Sequence, residues 1–224
     1  MPRAALFDVD GTLTDTTYLH VHAWWEALRQ AGHKVSTADL HRAIGLGGSD
    51  LIAQVLGEGR DRDEDESIDA AHKTLFATCH ERLSALEGAR ELLYAVHDRG
   101  WTLVLVTSAA GGELAALRRA LGADDIVAHI ASASDVAAGK PAPDSVEQAR
   151  QQTGAAHEQT VFIGDSVWDM RAASRAGVTA LGVLSGGIPR ADLTEAGAQE
   201  IYAGPADLLT RLDESAFARM ERET

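Results

Sequence analysis

The chain has 224 residues, 45% of them hydrophobic, and its 34 acidic and 20 basic side chains give a formal net charge of −14. This length allows one large domain or two small ones, and the negative charge opposes unspecific binding to nucleic acid or to anionic membranes. One cysteine, Cys79, excludes an internal disulfide framework, and no apolar stretch reaches transmembrane length. We therefore expect a soluble cytoplasmic protein, monomeric or homodimeric, that binds neither nucleic acid nor membranes.

The first predicted element is an apolar strand over residues 4–9. One carboxylate, Asp8, lies in this strand, and a second, Asp10, follows the strand and precedes Gly11. Side chains two residues apart on a strand project to the same side, and two carboxylates so close repel each other unless a cation or a shared proton relieves them. A hard divalent ion such as Mg2+ would do so. A turn, a helix cap and a calcium loop are the alternatives, although Thr12 and the early glycine fit the calcium loop poorly.

Residues 16–86 follow, and they have the pattern of several helices with no convincing strand. A crossover between parallel strands needs only about a dozen residues, usually as one helix, so a segment of this length is more than a connection. We predict an inserted all-helical domain over residues 16–86. Residues 1–15 and 87–224 then form the core domain.

Beyond residue 86, short β-branched runs alternate with helical patterns, which is typical of an α/β fold with a parallel sheet. The predicted strands cover residues 102–106, 126–131, 160–163, 179–184 and 199–202. The predicted helices include residues 87–99, 112–121, 144–153 and 168–176.

Polar side chains come after three of these strands, either directly after the strand or in the loop that follows it. Thr107 and Ser108 come directly after the second strand, Lys140 stands in a Lys-Pro-Ala-Pro turn, and Asp165 and Asp169 follow the strand at 160–163. Helix capping and a simple surface lysine are the alternatives for these residues taken one at a time. Because ligands of an open parallel sheet gather beyond the carboxyl ends of its strands, we expect these groups to meet in one place.

Four segments, taken in chain order, resemble the motifs of the haloacid dehalogenase-like phosphatase superfamily. They are Asp8-Val9-Asp10-Gly11-Thr12, Thr107-Ser108, Lys140 in Lys-Pro-x-Pro, and Gly164-Asp165-Ser166-x-x-Asp169. The resemblance spans nearly the whole chain. It implies a Rossmann-like core, a doubly wound parallel sheet, with a helical cap inserted after the first motif.

The resemblance also implies the roles of the residues that would carry the chemistry. Asp8 would be the nucleophile, and Asp10 the general acid and base. Thr107, Ser108 and Lys140 would hold the phosphoryl group during its transfer.

The same resemblance implies Mg2+ as the cofactor. Asp165 would bind the ion together with Asp8 and the main-chain carbonyl of Asp10. Asp169 would lie in the metal shell or next to it.

Features of the cap segment bear on the substrate. His20 either forms a hydrogen bond near the hinge or assists Asp10. The glycines Gly45, Gly47 and Gly48 form either a simple turn between cap helices or, as the resemblance implies, a loop that faces the active site and selects the substrate.

Two members of the superfamily compete as the best match. The hinge over residues 14–20 looks like that of β-phosphoglucomutase, whose cap loop presents an arginine for the phosphate that is not transferred. Here the corresponding residues 43–50 carry no lysine or arginine, which opposes the mutase reading, and the Gly-Asp-Ser-x-x-Asp motif is the form common in phosphoglycolate-type phosphatases.

We therefore expect a Mg2+-dependent phosphatase that hydrolyses phosphate monoesters of small metabolites through an aspartyl phosphate. The alternative is a phosphosugar mutase. A regulator that accepts phosphate without turnover, or a pure binding module, is less favoured, because Asp8, Asp10 and Lys140 are all present.

Overall fold

A computed structural model of the protein describes residues 2–132 and 138–222. Residues 1, 133–137 and 223–224, which belong to the predicted core domain, lie outside the described residues. The centre of the fold is a six-stranded sheet of parallel strands in the order β3-β2-β1-β4-β5-β6. The strands are β1 (Ala4–Asp8), β2 (Thr102–Thr107), β3 (Val127–Ser132), β4 (Thr160–Gly164), β5 (Thr179–Val183) and β6 (Glu200–Tyr202).

This strand order is that of a doubly wound Rossmann-like sheet, and it confirms the predicted fold class. Alternate residues of β1 face opposite layers of the core. Ala5 and Phe7 belong to one apolar cluster, and Ala4 and Leu6 belong to another on the other side of the sheet. Burial on both faces explains why the strands are apolar throughout rather than alternating with polar residues.

Helices cover both faces of the sheet. The four that were predicted are α5 (Ala89–Asp98), α6 (Gly111–Leu121), α7 (Asp144–Thr153) and α8 (Val167–Arg175). Three further helices, which the sequence analysis did not name, are α9 (Arg190–Ala196), α10 (Pro205–Thr210) and α11 (Ala216–Arg222). They have six or seven residues each, too few for a helical period to stand out in the sequence.

Between β1 and α5 the chain forms α1 (Thr17–Gln30), α2 (Thr37–Ala43), α3 (Gly48–Leu56) and α4 (Asp65–Ala77), with short 3-10 turns and no strand among the described residues. These helices have an apolar cluster of their own, which includes Trp24, Leu40 and Ile52. Thr14 and Ala85 form an isolated antiparallel bridge where the chain leaves the core and returns to it. The helical content of this segment was predicted, while the domain bounds at 16 and 86 stay a prediction.

None of the helices in the described parts of the chain is both long and apolar enough to cross a lipid bilayer.

Candidate active site

A cavity of about 720 Å³ lies where the carboxyl ends of the strands face the helical insertion. Nine of the eleven residues proposed for the site line it: Asp8, Asp10, His20, Gly45, Gly47, Gly48, Thr107, Ser108 and Lys140. The other two, Asp165 and Asp169, are buried beside the lining residues. The cavity lies next to the boundary between β1 and β4, at which the strand order reverses and where ligands of such sheets bind.

The floor of the cavity is a buried ion-pair network around Lys140. Its Nζ lies 2.5 Å from Oδ1 of Asp8, the last residue of β1, and 2.7 Å from Oδ1 of Asp169 in α8. Lys140 comes four residues before α7, which packs on the same face of the sheet as Leu6. The lysine therefore reaches the end of β1 from the loop before α7, and its environment is not that of a surface lysine.

Asp165 lies close to these groups in a narrow space. Its Oδ1 accepts a hydrogen bond of 3.0 Å from Oγ1 of Thr12. A Cβ atom on Gly11 would clash with the Asp165 carboxylate, and one on Gly186 would overlap it. Side chains at those two positions would displace the carboxylate, so glycine there leaves its oxygen atoms accessible.

The carboxylates of Asp8, Asp165 and Asp169 each have an oxygen atom within 4.8 Å of the others, and Lys140 is the cation paired with them. Burial, with the charge of Asp169, raises the pKa of Asp8 to about 7 despite Lys140, and burial with the charge of Asp8 also raises the pKa of Asp165. The raised pKa values mean that the one ammonium group of Lys140 does not compensate the charge of three buried carboxylates when all are ionised. Oxygen ligands with such a charge suit a hard divalent cation such as Mg2+.

Asp10 belongs to a second cluster, because β1 ends at Asp8 and the chain then turns. Its Oδ1 accepts a hydrogen bond of 2.7 Å from Thr16 Oγ1 and lies 3.2 Å from His20 Nε2. Burial alone would raise the pKa of Asp10. The hydrogen bond and charge of His20, together with the hydrogen bond of Thr16, outweigh burial and lower that pKa. The pKa of His20 is raised in turn, since its partnership with Asp10 outweighs burial. These two shifts favour an ionised Asp10 paired with a protonated His20.

Sequence reasoning missed two residues of this cluster, His72 and Glu113. His72 Nε2 lies 3.1 Å from His20 Nδ1, and the His72 ring stacks on Trp24 at a centroid distance of 4.0 Å. Glu113 Oε1 lies 3.9 Å from His20 Nε2. His72 is 52 residues from His20 in the chain, so no local spacing could have revealed the contact.

Thr107 and Ser108 lie at the end of β2 and line the cavity. Helix capping does not account for them, because α6 starts at Gly111 after Ala110 and has no side-chain cap. Oγ1 of Thr107 accepts a hydrogen bond of 3.0 Å from the N–H of Ala109, which leaves the hydroxyl hydrogen available to a ligand.

Capping does account for part of the last motif. Ser166 caps α8 and forms a capping box with Asp169, whose Oδ2 accepts hydrogen bonds from the N–H and the hydroxyl of Ser166. Oδ1 of the same carboxylate faces Lys140. Asp169 therefore fixes the start of α8 and the position of the lysine together, while its place in a metal shell stays a prediction.

The glycine loop of the insertion approaches the core closely. Gly45 has a φ angle of +100°, and a Cβ atom there would lie 2.6 Å from Ser166 Oγ. A Cβ atom on Gly48 would clash with the carboxylate of Asp69, whereas one on Gly47 would lie no closer than 4.0 Å to its nearest neighbour, Oδ2 of Asp50. The loop lines the cavity, so it can contact a bound molecule.

The chain is similar in sequence and in fold to several known proteins. Residues 2–177 match the family model described as haloacid dehalogenase-like hydrolase. The chain is 29% identical over 217 residues to the phosphoglycolate phosphatase of Rhodospirillum rubrum, covering 93% of this chain and 90% of that protein. A hydrolase structure from Pseudomonas syringae has a TM-score of 0.90 and 34% identity, covering 95% of this chain and 98% of that one. A β-phosphoglucomutase from Clostridium difficile has a TM-score of 0.83 over 98% of both chains, and at 18% identity it indicates a shared fold alone.

Proposed function

The chain belongs to the haloacid dehalogenase-like hydrolases, and we propose on that premise that it is a phosphatase acting on phosphate monoesters of small metabolites, with Asp8 as the nucleophile. The observation that carries the proposal is the buried Asp8–Lys140 pair at the floor of a cavity that also contains Asp10. The transfer of a phosphoryl group requires a positioned nucleophile and positive charge close together, and a carboxylate beside an ammonium group can supply both. The name of the Rhodospirillum rubrum relative supports a monoester as the substrate.

In the first step of the proposed reaction, a carboxylate oxygen of Asp8 bonds to phosphorus and the ester P–O bond breaks. Lys140 and the hydroxyl groups of Thr107 and Ser108 would donate hydrogen bonds to the phosphoryl oxygens, whose charge they stabilise. Lys140 is already held between two carboxylates and needs little movement for this role.

Asp10 would move the protons in both steps. It gives a proton to the leaving oxygen in the first step and takes one from water in the second, when water attacks phosphorus and the bond to Asp8 breaks. Because Asp10 is ionised when it is paired with protonated His20, the proton for the first step can come from His20 Nε2 at 3.2 Å. His20 thus holds Asp10 in place and supplies its proton.

Asp8 and Asp165, with the main-chain carbonyl of Asp10, would hold Mg2+, and Asp169 would support them through Lys140. When bound, the ion would neutralise the carboxylates and the phosphate and keep Asp8 ionised near neutral pH. The helical insertion would act as a cap that closes the cavity over the substrate. We also propose that the protein is cytoplasmic and that it is a monomer or a homodimer.

A mutase is less well supported. It must hold a second phosphate, and such a contact needs a cation. The cations among the described lining residues are Lys73, Lys140 and, when it is protonated, His20, and each is already paired with a carboxylate. The observed charge of the cavity therefore favours a hydrolase.

The test is phosphate release from p-nitrophenyl phosphate with Mg2+ and with a chelator. We expect turnover only with Mg2+, and its loss in Asp8→Asn, because an amide is a poor nucleophile. Asp15→Asn is the matched control, since Asp15 is exposed and lies just outside the motif. An Asp8→Asn protein that folds and keeps wild-type turnover would show that Asp8 is not the nucleophile.

A further inference from the structure

The side of the cavity that would contain the organic part of a substrate is acidic. Besides Asp8 and Asp10, the described lining residues include five more carboxylates, of which Asp65 is paired with Arg60 and Asp69 with Lys73, while Asp50, Glu66 and Glu113 have no lysine or arginine partner in the described ranges. The lysines in the lining are Lys73 and Lys140. Residues 133–137, outside the described part, contain no lysine or arginine in the sequence.

Neither lysine is free to bind a second anionic group. Lys140 is paired with Asp8 and Asp169, and Nζ of Lys73 lies 2.5 Å from Oδ2 of Asp69. A carboxylate on the substrate would leave water for a cavity that offers it no unpaired lysine or arginine among the described lining residues. Such a transfer is unfavourable unless the charge is compensated.

Asp50 is the carboxylate best placed to contact the organic part. It lies in the first turn of α3, and its Oδ2 is 3.7 Å from the position of a Cβ atom on Gly139, the residue before Lys140. Its carboxylate thus extends from the insertion to the edge of the proposed phosphate site. It forms no ion pair with any residue in the described ranges.

A buried hydroxyl group in the same lining also lacks a partner. Ser145 is only 6% exposed, and its Oγ has no hydrogen-bond partner among the residues that the structure describes. It lies in the first turn of α7, close in the chain to Lys140, and it lines the cavity. An unpaired buried hydroxyl is costly, and a polar group of a ligand would satisfy it. The cavity therefore offers a hydrogen bond to a polar group of a ligand, in addition to negative charge that attracts a cationic group.

We infer that the preferred substrate is a phosphate monoester whose organic part carries an ammonium group. This inference rests on the proposed phosphatase function, and it names the substrate class for the same site. An ammonium group complements the carboxylate of Asp50, which has no ion-pair partner in the described ranges, whereas a carboxylate or a second phosphate is repelled by it. The positive charge of the ammonium group also offsets the repulsion that the phosphate group meets when the substrate approaches a negatively charged protein.

Three two-carbon esters of nearly equal size test the inference. Phosphoethanolamine carries an ammonium group, 2-hydroxyethyl phosphate a neutral hydroxyl group and phosphoglycolate a carboxylate. We expect kcat/KM to fall in that order, by about fivefold at each step, the scale of one solvent-exposed ion pair. The same order should hold for their inhibition constants against p-nitrophenyl phosphate. Equal or better values for phosphoglycolate, or no binding of phosphoethanolamine, would overturn the inference.

Variants connect the preference to the named carboxylate. Asp50→Asn should reduce the advantage of phosphoethanolamine over 2-hydroxyethyl phosphate to less than about twofold. Asp98→Asn makes the same charge change at an exposed site on α5, away from the cavity, and should leave that advantage unchanged. An unchanged preference in Asp50→Asn would contradict the role of Asp50.

Hydrolysis of p-nitrophenyl phosphate separates the two proposals. A folded wild-type protein that does not hydrolyse it with Mg2+ would contradict the phosphatase function itself. Hydrolysis of it together with a preference for phosphoglycolate would contradict only the inferred substrate class.

Discussion

His72 is a buried histidine that the fold keeps neutral. Burial, together with the neighbouring charge of His20, lowers the pKa of His72 to about 2. A neutral His72 can accept a hydrogen bond from His20 Nδ1, which lets His20 carry a proton on both ring nitrogens and donate the other to Asp10. The neutral state of one histidine thus supports the charged state of the next.

This arrangement makes stability depend on pH. The unfolded chain binds a proton at His72 below about pH 6.5, whereas the folded protein does not do so until about pH 2. The stability gained from a neutral His72 is therefore complete above about pH 6.5 and is lost as the pH falls, by about 1.4 kcal/mol per pH unit. We expect His72→Gln to make the free energy of unfolding less dependent on pH between about pH 6 and pH 4, by that slope.

Urea unfolding at several pH values measures this slope. His97→Gln is the control, because it removes a histidine from an exposed position of α5. Identical slopes for the wild type and His72→Gln would mean that His72 does not stay neutral in the folded protein.

At the scale of elements, the strands and their terminal motifs could be predicted because their signals are local. β1 is a short apolar run that ends at Asp8, two residues before Asp10, and β4 is one that Asp165 follows directly, and this pattern needs no knowledge of the rest of the chain. The two clusters around Asp8 and Asp10 could not be separated in advance. Their separation depends on where β1 ends and on α4, which brings His72 to His20 across the insertion.

The loop between α2 and α3 offers a sharp comparison of two glycines. Gly45 has a left-handed φ angle and lies against Ser166, whereas Gly47 has an extended conformation, precedes α3 as its N-cap and has room for a Cβ atom, whose nearest neighbour would be Oδ2 of Asp50 at 4.0 Å. We expect Gly45→Ser to lower the free energy of unfolding by about 1–2 kcal/mol or more, because a side chain there is both strained and in contact with the core. Gly47→Ser should leave it unchanged or raise it, since serine is a favourable N-cap residue.

Urea unfolding of the two variants gives the answer directly. A loss of equal size in both would show that the loop tolerates no side chain at all, and that the left-handed conformation of Gly45 is not the cause. The identical substitution at the two sites removes any effect of the serine itself.

For the whole molecule, the net charge of −14 and the acidic cavity act in the same direction. A doubly charged phosphate ester approaches against this field, and the attraction of Lys140 acts only at short range because the lysine is buried and paired. Long-range repulsion and short-range binding therefore differ in how strongly dissolved salt screens them. Repulsion between distant charges in water is screened well, and buried contacts are screened much less.

Salt should therefore increase the activity toward an anionic substrate. Between about 10 mM and about 150 mM salt, the screening length falls from about 30 Å to about 8 Å, which removes most of the long-range repulsion. We expect kcat/KM for p-nitrophenyl phosphate to rise over this range at constant free Mg2+, with kcat nearly unchanged. Phosphoethanolamine, whose ammonium group offsets part of the phosphate charge, should show a smaller rise. A fall in kcat/KM for p-nitrophenyl phosphate would mean that local cations, and not the net charge, govern the approach of the substrate.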